Sequence, residues 1–119
     1  MSSSMTNVIS KLNGKHIDVV GVERHFLNDL LHREDGPAII YPSGYKRWFL
    51  HGKCHRKDGP AVEYADGAKA WYLNDSLHRE DGPAIERISG CKEWYYRGNL
   101  IDCKDNQEFL RLVKLIAFY

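Results

Sequence analysis

The chain predicts a mainly β fold: an elongated, twisted antiparallel sheet of stacked 23-residue β-hairpin repeats, closed by a short C-terminal capping helix. Three observations carry that expectation. Trp48, Trp71 and Trp94 stand 23 residues apart, and the segments LNDLLHREDGPAIIYPSGYKRW from Leu27, LHGKCHRKDGPAVEYADGAKAW from Leu50 and LNDSLHREDGPAIERISGCKEW from Leu73 are near copies of one another. Recurrence at a fixed period in this range marks a repeat architecture. Each copy alternates apolar and polar residues in short runs bounded by Gly, Pro, Asn and Asp, which is strand and turn chemistry. Only beyond Asp105 does the apolar spacing change to that of a helix.

Taken in order, residues 1–6 read as a flexible N-terminus, 7–24 as a degenerate capping hairpin, 25–104 as the hairpin array and 105–119 as the capping helix. Val8 to Leu12 and Lys15 to Val20 flank Asn13-Gly14, a favoured hairpin pair. Gly21 and His25 then fall in register with Gly44 and Trp48, as in a shortened copy. In the middle copy Pro60 to Ala65 alternates, with Val62 and Tyr64 on one face, and Asp66-Gly67 is expected to supply the positive-φ pair of a tight turn. Ala68 to Leu73 returns with Lys69, Trp71 and Leu73 on one side and Ala68, Ala70 and Tyr72 on the other, and Asn74-Asp75 turns the chain toward the next copy. Gly36-Pro37, Gly59-Pro60 and Gly82-Pro83 sit at strand starts, where the missing proline donor does least harm to a ladder. After Trp94 a fourth copy begins as YYRGNLIDCKD and loses the His-Arg-x-Asp-Gly-Pro-Ala motif. Asp105 with Glu108 forms a capping-box-like start, and Phe109, Leu112, Val113 and Ile116 follow at helical spacing. So short a helix is marginal alone and is expected to dock over the open end of the sheet.

One hairpin cannot repay the entropy of ordering its own residues, so the copies must share faces. Trp48, Trp71 and Trp94 are expected to form a ladder packed with Leu50, Leu73, Ile39, Val62 and Ile85. A core-facing tryptophan would turn Phe49, Tyr72 and Tyr95 to the other side, beside Arg47, Ala70 and Glu93. Arg47, Phe49, Tyr72, Glu93 and Tyr95 are therefore the candidate protein-binding face, since aromatic rings with mixed charge are what interfaces concentrate. The alternative is that these rings only cover the second side of the sheet or meet the terminal helix.

Composition narrows the function classes. The 119 residues are 43% hydrophobic and 12% aromatic, which argues against disorder. A formal charge of +1 gives no field for nucleic acid or an anionic membrane. The chain lacks the ~20-residue apolar run of a spanning helix, and MSSSMTNV lacks the features of a secretory signal, so a cytoplasmic location is expected. Cys54, Cys91 and Cys103 are odd in number and differently placed in the copies, as reduced thiols would be.

His32, His55 and His78 recur at the period and invite a metal reading, but equivalent atoms two strands apart lie roughly 10 Å from one another. Two nitrogens on one zinc are little more than ~4 Å apart. The histidines are expected to pack at turns beside Arg33, Arg56 and Arg79, with Arg and Asp pairing inside each motif. Ser43 and Ser89 occupy the turn position of Asp66, and Cys54 and His55, as strand neighbours, point to opposite faces. Every glycine belongs to a turn signature rather than a phosphate loop. No catalytic, metal or cofactor residues are assigned.

The pattern His-Arg-x-Asp-Gly-Pro-Ala, a turn glycine, then Trp and an aromatic or Leu, resembles MORN-type hairpin repeats. It is most similar to the variant arrays frequent in phages and giant viruses, which often finish in a short helix like the one begun by Gln107, Glu108 and Phe109. The resemblance spans about residues 25 to 110 and departs in the first and fourth units and at Arg87, which replaces the aromatic of Tyr41 and Tyr64. It implies a non-enzymatic binding or scaffolding protein, virus-encoded, with a protein partner such as a host defence or regulatory protein that a phage inhibitor would occupy. The competing expectation is a small-ligand protein that sequesters a nucleotide signal between Arg33, Arg56 or Arg79 and aromatic rings. A membrane-associated MORN-type module is a third, weakened by the lack of a basic stripe. Homodimerisation is a further expectation, from the edge strand near Val8 and the apolar segment Leu115 to Tyr119.

Overall fold

A computed structural model describes residues 10–117, so residues 1–9, with the expected flexible N-terminus and the edge near Val8, and residues 118–119 lie outside the described part. The described chain is mainly β with one C-terminal helix. Its strands are β1 (Gly14–Ile17), β2 (Glu23–Leu27), β3 (Leu30–Leu31), β4 (Ile39–Ile40), β5 (Lys46–Arg47), β6 (Phe49–Leu50) and β7 (Lys53–Cys54). They continue as β8 (Val62–Glu63), β9 (Lys69–Ala70), β10 (Tyr72–Leu73), β11 (Ser76–Leu77), β12 (Ile85–Glu86), β13 (Lys92–Tyr96) and β14 (Asn99–Ile101), followed by the helix α1 (Asn106–Ala117). A ten-stranded antiparallel sheet runs β1-β2-β4-β5-β8-β9-β12-β13-β14 with β3 beside β2, and β6-β7 and β10-β11 form two further hairpins. The Cα extents are 65 × 35 × 20 Å and the radius of gyration is 18.2 Å, against about 13 Å for a compact chain of this size.

Most strands are two residues long because the chain changes partners at tryptophan. The Trp48 N–H donates across the large sheet to Ala61, while the Trp48 carbonyl accepts from His55 in the neighbouring small hairpin; Trp71 does the same with Ala84 and His78. Each tryptophan thus joins one strand of the sheet to one strand of a second row of hairpins. That row holds together through donations from Gly52 to Leu31, from Asp75 to Cys54 and from Gly98 to Leu77.

The turns differ from expectation in an informative way. The positive-φ pairs are Asn28-Asp29, His51-Gly52, Asn74-Asp75 and Arg97-Gly98, the form required by a two-residue type I′ turn. At Asp66-Gly67 only Gly67 is left-handed, at φ +97°, and its N–H returns to Tyr64. The same arrangement recurs at Gly44 and Gly90, so these are three-residue loops in which glycine alone takes the positive φ. At the N-terminal end the hairpin turn is not Asn13-Gly14. The β1–β2 turn runs Asp18 to Gly21, and the boundary placed at residue 24 falls inside β2. The Asn13 side chain and the Leu12 backbone instead cap the Asn28-Asp29 turn.

Register decides which residues share a face. Directly opposed residues share a face, and Ile39, Arg47, Val62, Ala70, Ile85 and Glu93 form one such row across the sheet. Lys46, Glu63, Lys69, Glu86 and Lys92 form the other, alternating in charge. Val62 and Ile39 therefore share the parity of Arg47, not that of the tryptophans. The main buried cluster contains Val22, Ile39, Val62, Ala70, Ala38, Ala61, Cys54 and Phe49, with Tyr41, Tyr45, Tyr72, Leu77, Ile85 and also Trp48 packed against it, so the expected packing of Trp48 on Ile39 and Val62 is present in part. Phe49, expected to project from the core, lies within it at 8% exposure. Trp48 and Trp71 are half-buried, and Trp94 alone of the three is buried.

The helix begins as its sequence indicates: the Asp105 carboxylate accepts from the Glu108 N–H, and the Glu108 carboxylate accepts from the Lys104 N–H. Phe109 is fully buried and Leu112 and Val113 are half-buried, but Ile116 is exposed, so the docked stripe fades along the helix. Among the described residues no helix is long and apolar enough to cross a membrane.

Candidate binding surface

The His-Arg-x-Asp-Gly-Pro-Ala motif is the obvious place to look for chemistry, and its polar groups are spent on internal bonds. Arg56 donates from Nε to Asp58 (3.1 Å) and from Nη1 to the Pro60 carbonyl (3.0 Å), while its guanidinium lies 4.0 Å over the Trp48 ring. Arg79 repeats this with Asp81 (2.9 Å), Pro83 (3.0 Å) and Trp71 (3.8 Å). The same two arginines also reach Glu63 (3.4 Å) and Glu86 (2.9 Å) of the charged row. Arg33 bonds Asp35 and the Pro37 carbonyl, but His25 stands where the next copies have tryptophan, 3.0 Å from Arg33 Nη1.

The glycine of the motif follows from this packing. A Cβ on Gly59 or Gly82 would sit 3.0 or 2.9 Å from the guanidinium carbon of Arg56 or Arg79, so a side chain there would press on the stacked guanidinium and shift it slightly. Arg56 and Arg79 are thus stacked on tryptophan and hydrogen-bonded through Nε and Nη1, whereas Arg33 has the hydrogen bonds without the tryptophan.

Each motif histidine holds a turn 19 residues further along. Nδ1 of His32, His55 and His78 accepts from the N–H of His51 (2.8 Å), Asn74 (3.0 Å) and Arg97 (2.8 Å), the first positive-φ residue of each type I′ turn. Nε2 of His32 and His78 faces Glu34 and Glu80. Burial, and then Lys57, holds the His55 imidazole below its ordinary pKa. Among the described residues no three His, Cys, Asp or Glu side chains gather as a metal site.

That geometry sets a measurable pH dependence. The unfolded chain binds more protons than the folded one once pH falls below about 6.5, the ordinary imidazole value, so the His55 contribution is whole above it. It declines as pH drops through 6.5 toward the lower folded value. His55→Ala should cost about 1–3 kcal/mol in urea unfolding at pH 7.5 by orphaning the Asn74 N–H. His55→Asn, which keeps an acceptor near Nδ1, should recover part of that loss and flatten the decline between pH 7 and 5. Equal losses in both variants would count against the turn-holding role.

The three cysteines are free. Burial pushes the Cys54 thiol up, and burial followed by Glu108, Asp102 and Asp105 raises Cys103. Both changes lower the thiolate fraction that a nucleophile requires.

The face of Arg47, Phe49, Tyr72, Glu93 and Tyr95 is only partly a surface. Phe49 is its floor. Glu93 pairs with Arg87 at 3.5 Å, and Tyr72 and Tyr95 are half-buried. Arg47 lies 5.0 Å over the Phe49 ring. Three tyrosines outside the expected set complete the patch: Tyr41 and Tyr45 rings are 5.2 Å apart, Tyr45 and Tyr64 5.5 Å, and Tyr64 is exposed. The signal for Tyr41 and Tyr64 was their common position, 23 residues apart at the start of each three-residue loop. On the tryptophan side, open grooves of about 770 and 660 Å³ run between successive motif loops, with Trp48 and Leu50 in one and Trp71 and Leu73 in the other. Compared with protein-family models, curated proteins and solved structures, the chain matches none.

Proposed function

We propose that this chain is a non-enzymatic array of stacked 23-residue hairpins, twisted and MORN-like, whose tyrosine face binds another protein. The carrying observation is a division of labour between the two sides. The recurring His, Arg and Asp of the motif make internal bonds of the scaffold, whereas on the other side Tyr45 and Tyr72 neighbour Arg47 and the rings of Tyr41 and Tyr64 flank Tyr45. Tyrosine and arginine are the residue types that dominate interface energetics. The resemblance to phage arrays makes a phage-encoded inhibitor of a host defence or regulatory protein, acting in the host cytoplasm, the biological setting of this reading.

Immobilised chain exposed to a bacterial host lysate should retain a protein in near-stoichiometric amount. Tyr64→Lys, at an exposed loop position, should release it without changing the melting temperature. Retention that survives Tyr64→Lys but fails with changes at Trp48 or Leu50 would move the binding surface to the grooves. Calorimetric heat with cyclic nucleotides and no retained protein would replace the reading with ligand sequestration.

A further inference from the structure

Arg47 stands apart among the arginines. Arg24, Arg33, Arg56, Arg79, Arg87 and Arg111 each have a carboxylate within 4.0 Å. Among the described residues none lies that close to Arg47, and its Nε is the only buried side-chain nitrogen or oxygen without a hydrogen-bond partner. Arg97 also lacks an ion pair there, but it is exposed at a turn tip against Tyr96. A half-buried cation with an orphaned donor is costly to keep and calls for a reason.

The 23-residue period shows what is missing. The loop position Asp18 recurs as Tyr41, Tyr64 and Arg87, and the strand position Arg24 recurs as Arg47, Ala70 and Glu93. At the first level Asp18 pairs with Arg24 at 2.9 Å. At the last the signs are exchanged, and Arg87 pairs with Glu93 at 3.5 Å. The third level, Tyr64 with Ala70, is neutral. Only at the second does a cation remain while the loop residue that could neutralise it is a tyrosine. The site has the cation of an ion pair, an aromatic surround and no anion.

We infer that a carboxylate side chain of a bound protein supplies this anion, seating on Arg47 between the rings of Tyr41, Tyr45, Tyr64 and Tyr72. The inference rests on the protein-binding reading above and names the chemistry of the partner at its centre. A peptide segment fits better than a small anion, because the clustered rings offer stacking area for several residues while the described grooves lie on the tryptophan side. A charge-assisted pair in such partly dry surroundings dominates local affinity.

The test uses random twelve-residue peptides displayed and selected on the full chain. Wild type should enrich sequences with Asp or Glu beside apolar residues, and synthetic copies should bind Arg47→Glu at least about tenfold more weakly. Arg47→Glu should itself enrich basic peptides. Tyr41→Asp is the decisive second variant, because it offers Arg47 an internal carboxylate as Asp18 does for Arg24: it should melt above Tyr41→Asn, which loses the same ring without supplying a charge, and should abolish acidic-peptide binding where Tyr41→Asn only weakens it. Enriched peptides without acidic bias, or indifferent to both variants, overturn the Arg47 assignment and leave protein binding standing at another surface. Selection of no peptide at all counts against both. Heat with a cyclic nucleotide that vanishes in Arg47→Glu overturns the peptide assignment in favour of a phosphate.

Discussion

Replacing Phe49 by alanine is expected to destabilise the chain by about 3–5 kcal/mol, the range for deleting a buried aromatic ring. Phe49 is 8% exposed and belongs to the cluster that includes Val62, Ala70 and Cys54, so its removal opens a void between the large sheet and the second row of hairpins. The ring also supports the Arg47 guanidinium, whose loss of contact adds to the penalty. Urea unfolding followed by tryptophan fluorescence measures the effect, with Tyr64→Ala as a comparison at an exposed ring of the same side. The latter should cost less than about 1 kcal/mol. If Phe49→Ala were as mild as Tyr64→Ala, with binding alone affected, Phe49 would be a contact residue and the assignment of the core to its side would fail.

Why the sequence pointed to the other side is instructive. Alternation correctly separated Trp71 from Tyr72 and Trp48 from Phe49, because parity along one strand is a local property. It could not tell which residues of the partner strand face which side, since that depends on register. Val62 was grouped with Trp71, yet the observed pairing sets Val62 opposite Arg47 and Ala70. Size misled further. Indole is the largest apolar group in each copy, but Trp48 and Trp71 spend one ring face on Arg56 and Arg79 and remain half-buried.

Turns were legible in place more than in type. The dipeptide Asp-Gly suggests a type I′ pair, but Asp66 keeps an ordinary φ, and the pairs that take two positive φ values include His51-Gly52 and Arg97-Gly98, neither a usual signal. What allows them is non-local: a motif histidine 19 residues earlier accepts the first N–H of the turn. No local propensity encodes such a bond. The N-terminal turn was missed because Val19-Val20 carries no turn chemistry; its Asp18 caps it by accepting from the Val20 and Val22 N–H groups. The registry of Gly21 with Gly44 held the information, since both glycines take positive φ after the same pattern of backbone bonds.

The capping helix was the most legible element, and Phe109→Ala is expected to release it. The Asp105–Glu108 start marks its first turn by local chemistry alone, but a twelve-residue helix does not hold itself in water, so its order must come from docking. Phe109 has no exposure while Leu110, Leu115 and Ile116 are exposed, so the helix is packed through the side that carries Phe109. The same first turn carries Asn106, whose side-chain oxygen accepts from the Trp94 indole N–H at 2.7 Å. Trp94 has no motif arginine over it, because the fourth copy places Asp102 where Arg79 stands in the third. The helix thus meets Trp94 at its indole N–H edge, whereas Arg56 and Arg79 lie over the ring faces of Trp48 and Trp71. Truncating Phe109 should cost about 3–5 kcal/mol, speed amide exchange throughout residues 106–117, and expose Trp94 to water with a red-shifted emission. Leu110→Ala, one position along on an exposed face, should stay within about 0.5 kcal/mol and leave the exchange pattern unchanged. Matching behaviour of the two variants would show that the helix is not fastened through Phe109, and that Trp94 owes its burial to the strands alone.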